Sequence, residues 1–220
     1  MGPYSHFALA NTVISLVRPE NEGEYYWGSV APDIRYLAGM RRAQTHIDEQ
    51  RIREYIVRYP HLKSFLQGYR VHCLIDEIDL QEVVGKLFPL NIINWLSNGK
   101  ISQPQIAMLV ELYYLQTAHP GVQSMSGIQN EMLAELGIEP AHIDNFLSAM
   151  QEYIQSPCFE TGYSTFQRIG MINNSRVEKY KSAARQLQKN ALIRNFLMVG
   201  VKHADLTRLA VAHVGSSIEI

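Results

Sequence analysis

Five residues of this chain combine donor chemistry with informative spacing: His6, Asp33, His46, His72 and Asp76. His72 and Asp76 stand four positions apart. On a helix that spacing puts an imidazole and a carboxylate on one face with Cβ atoms roughly 6 Å apart, close enough to converge on one ion. Leu62, Phe65, Leu66, Tyr69, Leu80, Val83 and Leu87 recur along the same seam at three- and four-residue intervals. The pair is therefore expected to face the core, where ionisable groups are costly unless paired, hydrogen-bonded or bound to metal. This helix alone leaves two readings open: a buried His72–Asp76 hydrogen bond, or half of a metal site.

The other three donors are individually plain. His6 opens the first helix, on the face continued by Ala10, Val13 and Val17. The positive end of the helix dipole there favours the neutral imidazole that a metal requires, although a histidine so placed, taken alone, is more often a surface residue. Asp33 follows Pro32 in a glycine-containing loop, the ordinary place for a turn or capping aspartate. His46 follows Thr45 and precedes a helix that Asp48 can cap, which by itself describes an exposed loop-end histidine.

The order of the donors is more informative than any one of them. Ser5-His6-Phe7-Ala8, Gly28-Ser29-Val30-Ala31-Pro32-Asp33, Thr45-His46 and Gly68-Tyr69-Arg70-Val71-His72-Cys73-Leu74-Ile75-Asp76 resemble the N-terminal half of the zinc-dependent phospholipase C proteins. That fold is shared with the zinc-dependent single-strand-specific nucleases. The resemblance implies an all-α bundle in which Asp33, His46, His72 and Asp76 ligate one zinc ion and Asp76 bridges to a second that also takes His6. Mixed imidazole and carboxylate donors suit zinc, and also manganese or iron.

The chain departs from the family pattern in three respects. Glu82 stands where a further histidine is expected ten positions after His72. None of His119, His142, His203 and His213 has an acidic residue four positions on, so the later His-x-x-x-acid pair is missing. An N-terminal tryptophan is also lacking. The resemblance with these departures implies a reduced centre of one or two ions, not three. His203 and His213, on the apolar face Leu192, Phe196, Val199, Leu206 and Ala210, are candidates to complete or orient it, or to sit hydrogen-bonded in the core. His119, just before Pro120, is expected to end a helix. Cys73 is expected to pack inward, with thiolate ligation the alternative.

The elements that must position these residues are helical throughout, because no alternating strand pattern emerges. Helices are expected over about 6–17, with Ser5 as N-cap, and near 47–58, 61–87, 103–118, 127–136, 140–154 and 175–214, the last broken around Asn190 or Gly200. Residues 18–40 read as loop, punctuated by Pro19, Gly23, Gly28, Pro32 and Gly39. A run of helices with short connections in 220 residues predicts a single-domain all-α multi-helix bundle. Tyr25-Tyr26-Trp27 and Tyr113-Tyr114 either fill the core or line a pocket.

Composition narrows the function. With 46% apolar and 19% charged residues, and 20 basic against 21 acidic, the net charge is −1. That balance offers no long-range attraction to polyanions, and the basic residues of 176–189 read as a solvated face. Two cysteines, Cys73 and Cys158, are too few for a disulfide framework. No secretory signal or transmembrane span is expected, and a cytoplasmic setting follows as the expectation. The resemblance then implies a metal-dependent phosphoester hydrolase, phospholipase C-like, acting on a phospholipid head group or another small phosphoester. Its nucleophile would be a metal-bound hydroxide, formed from water whose pKa zinc lowers toward about 7, with Asp33 binding metal and orienting or deprotonating that water. The alternative is a metal-stabilised protein that binds a ligand or partner without hydrolysis, as a closed coordination sphere would dictate.

Overall fold

A computed structural model of the chain describes residues 2–79, most of 110–118, 131–173, scattered positions between 177 and 202, and 205–217. Every regular element among them is helical, so the chain is all-α. No helix among the described residues is long and apolar enough to cross a membrane.

The helices are α1 (Pro3–Val17), α2 (Glu22–Gly28), α3 (Arg42–Thr45), α4 (Glu49–Arg58), α5 (Lys63–Asp76), α6 (Glu131–Glu135), α7 (Pro140–Gln155), α8 (Phe159–Arg168) and α9 (Leu206–Ser217), with 3-10 turns at Ala31–Tyr36 and Pro60–Leu62. Helix α5 packs against α1, α2, α4 and α9. Phe7 and Leu9 of α1, Trp27 of α2, Leu66 and Tyr69 of α5, Phe146 of α7 and Val214 of α9 share one apolar cluster. Tyr25, Tyr26 and Trp27 are core residues, which settles their role as packing.

Several expectations are corrected. Helix α1 begins at Pro3, with Gly2 at the N-cap; proline's fixed φ and missing N–H suit the first helical position, and Ser5 lies inside the first turn. The stretch expected to be loop contains α2 and a 3-10 turn. Asn21 accepts a hydrogen bond from the Glu24 N–H at the start of α2, a cap that supports the helix against the cost of Gly23. Helix α5 stops at Asp76, where the Glu77 and Ile78 N–H groups reach back three residues to Leu74 and Ile75. Helix α8 forms where Thr and Ser residues and Gly162 dilute the apolar pattern of the sequence. Asp48 does cap α4, accepting from the Arg51 N–H. The expected continuation of the α5 seam through Leu80, Val83 and Leu87, Glu82, His119 and His203 lie outside the described residues, as does most of 103–109, 119–130 and 175–204.

Two glycines set how α2 meets α5. A Cβ at Gly28 would overlap the Phe65 carbonyl oxygen, and one at Gly68 would overlap that of Tyr25. The two backbones are therefore in direct contact, closer than any other residue pair would permit.

Candidate metal centre

Each donor arrives on a different piece of backbone. His6 projects from the second turn of α1, Asp33 from the 3-10 turn, His46 from the residue that ends α3, and His72 and Asp76 from the last turns of α5. His6, Asp33 and His72 are 1%, 3% and 0% exposed. Their imidazole nitrogens and carboxylate oxygens lie within 4.8 Å of one another, and the same holds for His46, His72 and Asp76. All five residues singled out in the sequence thus converge, with His72 common to both groups. The grouping differs from the one the resemblance implies, because Asp33 falls with His6 and His72 instead of with His46.

Backbone carbonyls fix the imidazole orientations. The Nδ1–H of His72 donates to the Ser29 carbonyl at 2.8 Å, and that of His6 to the Gly2 carbonyl at 3.1 Å. A carbonyl oxygen only accepts, so in both rings the proton sits on Nδ1. The Tyr69 hydroxyl, from α5, donates to the Thr45 carbonyl and ties the backbone next to His46 to the same helix. His6 and His72 stack with ring centroids 4.0 Å apart.

Asp76 is the hub. Its Oδ1 lies 3.1 Å from His6 Nε2, and its Oδ2 lies 3.0 Å from His46 Nε2, 2.7 Å from Arg42 Nη1 and 3.7 Å from His72 Nε2. Burial works against its charge, but the imidazoles of His46 and His6 outweigh burial and hold its carboxyl well below the usual carboxylate range. For His72, burial and then repulsion from His6 push the imidazole well below its ordinary value. It is neutral, and with Nδ1 carrying the proton, Nε2 presents a lone pair. That atom is fully buried and has no hydrogen-bond partner among the described residues. Burial raises the Asp33 carboxyl, aided by the charge of Asp76 and opposed by His6 and Arg35.

The donor set fits a divalent transition ion. An orphaned, buried imidazole lone pair is costly, and a metal ion resolves it. A tetrahedron with bonds of about 2.0–2.1 Å has edges of about 3.4 Å, and the separations between donor atoms, 3.0 and 3.7 Å within a limit of 4.8 Å, bracket that edge. Among the described residues neither donor group includes Cys73, whose thiol burial lifts to about 12.

Other polar groups border the centre that the sequence reading passed over. Arg42 bonds Asp76, and its position four residues before His46 was the available signal. Arg35 lies 3.7 Å from Asp33 Oδ1. His213 of α9 contributes no ligand; its Nε2 lies 2.8 Å from Glu77 Oε2 at the surface. Comparison with protein-family models, with curated proteins and with solved structures finds no match to this chain.

Proposed function

We propose that this protein is a metal-dependent phosphoester hydrolase with zinc as the leading ion. The observation that carries the reading is the buried, unpartnered Nε2 of a neutral His72, set among His6, Asp33, His46 and Asp76. With its proton on Nδ1, His6 has no hydrogen to offer Asp76 from Nε2, and the His72 lone pair has no hydrogen-bond partner among the described residues. Mixed nitrogen and oxygen donors suit zinc, manganese or iron. The motif order described above, which resembles the zinc-dependent phospholipase C proteins, supports hydrolysis of a phosphoester.

A zinc ion bound here would supply a Lewis acid for a phosphoryl oxygen and lower the pKa of water. The residues of the chain do the rest. His72 and Asp76 hold one side of the centre rigidly, because both project from a packed helix, and the Ser29 and Gly2 carbonyls keep the His72 and His6 rings from rotating. The Asp33 carboxylate, buried and biased toward its protonated form, is suited to take a proton from water and to hold it.

The test is metal analysis of the purified full chain, with a panel of phosphomonoesters and phosphodiesters and with His72→Ala and Asp76→Ala as controls. Stoichiometric metal and hydrolysis that both substitutions abolish are expected. Absence of stoichiometric metal, with neither substitution affecting metal affinity, would overturn the metal centre. Bound metal without turnover of any ester would reduce the protein to a metal-stabilised binding protein.

A further inference from the structure

Two guanidinium groups reach the centre, one beside each carboxylate. Arg42 places Nη1 at 2.7 Å from Asp76 Oδ2 and Nη2 at 3.5 Å from the Asp76 carbonyl. Its side chain is 49% exposed, so it meets the buried cluster from the solvent side and marks where the cluster opens. Arg35 is 15% exposed and sits 3.7 Å from Asp33 Oδ1. Its guanidinium lies over the Tyr36 ring, 3.9 Å from the centroid, and donates from Nη2 to the Tyr36 hydroxyl at 2.5 Å. Its buried Nε–H has no hydrogen-bond partner among the described residues. A guanidinium carries five N–H donors in a planar fork matched to phosphate oxygens, more than either group employs in its bonds among the described residues.

The charges discriminate between phosphoesters. While Asp33 and Asp76 are ionised they offset Arg35 and Arg42, the imidazoles are neutral as metal ligands, and a divalent ion therefore leaves the site with a net positive charge. A phosphomonoester carries nearly two negative charges at neutral pH, since its second pKa is about 6, and balances that excess; a phosphodiester carries one.

We propose that Arg42 and Arg35 form an anion-recognition pair that makes phosphomonoester dianions the substrate class of this site, in preference to phosphodiesters such as choline phospholipids. This rests on the hydrolase reading above.

The experiment uses zinc-loaded full-length protein freed of excess metal, titrated calorimetrically near neutral pH with inorganic phosphate and, separately, with dimethyl phosphate, a monoanionic diester. Arg42→Gln and Arg42→Lys are compared with the parent; Arg42 is half exposed, so both should fold. Inorganic phosphate is expected to bind more tightly than dimethyl phosphate. Arg42→Gln should weaken phosphate about tenfold or more, as loss of a hydrogen bond to a charged group does. Bound zinc should be retained, and Arg42→Lys should recover part of the loss. Equal affinity for the two anions, or phosphate binding unaffected by Arg42→Gln in protein that holds zinc, overturns the proposal and leaves the hydrolase reading standing. Failure of the parent protein to take up zinc overturns both.

Discussion

The Nδ1 of His72 donates to the carbonyl of Ser29, 43 residues earlier in the chain, at 2.8 Å. That bond depends on how closely α2 approaches α5, because Ser29 directly follows the helix whose Gly28 lies against Phe65. The orientation of this candidate ligand and the packing of the helices are therefore coupled.

Gly68→Ala tests the coupling. The new methyl would meet the Tyr25 carbonyl and the Ser29 N–H, and separating two helices by a methyl costs about 3 kcal/mol at the upper end of overpacking effects. The expected outcome is a lower urea midpoint together with weaker zinc binding. Gly215→Ala in α9, where the nearest atom to an added Cβ is 4.0 Å away, should be neutral or stabilise by up to about 1 kcal/mol.

Metal removal gives a second prediction. An ion bound only by the folded state raises stability, by about 2.7 kcal/mol when free metal is at 100 times its dissociation constant. Chelation should lower the thermal midpoint of the parent protein. Asp76→Asn, which keeps the shape and removes the charge that faces His6, His46 and Arg42, should bind metal more than about 100-fold less tightly, beyond the loss usual for groups that only orient ligands. A midpoint unmoved by chelator would argue against a structural contribution from the ion.

The start of α1, and with it His6, is held by Glu111. Its carboxylate accepts from the Tyr4 and Ser5 N–H groups at 2.8 Å each, from the Ser5 hydroxyl at 2.8 Å and from the Tyr153 hydroxyl at 2.9 Å. Two of the orphan N–H groups of the helix are thereby satisfied by an anion placed at the positive end of the dipole. Glu111→Ala is expected to cost about 3 kcal/mol and Tyr153→Phe about 1 kcal/mol. Because the two share a bond, the double variant should lose less than the sum, as chemical denaturation will measure.

Buried phenols set the alkaline limit. Burial pushes Tyr26 and Tyr114 up to about 12 and raises Tyr25 and Tyr153 well above the ordinary value. Unfolded tyrosines ionise near about pH 10, so above that pH the unfolded chain binds fewer protons than the folded one. Stability is full below about pH 10 and falls as pH rises toward 12, each such tyrosine adding about 1.4 kcal/mol per pH unit to the slope. Tyr26→Phe should flatten the dependence by one proton in denaturation series across this range; an unchanged slope would show that Tyr26 ionises alike in both states.

Local sequence was sufficient for the helical class and for the strongest donor pair. The interval from His72 to Asp76 and the apolar seam around them are properties of one helix, so periodicity alone placed the two on its inner face. Motif order added His6, Asp33 and His46 as candidates, but not their arrangement. Only the tertiary structure decided that Asp33 groups with His6 and His72 and that Arg42 closes on Asp76. It also decided that α2 forms despite two glycines. Those outcomes depend on contacts between segments distant in the chain, such as Arg42 and Asp76, 34 residues apart, and on the backbone-to-backbone contact that Gly28 and Gly68 allow, which no pattern of period 3.6 records. The sequence names the donors; which of them face each other is set by how closely the helices can pack.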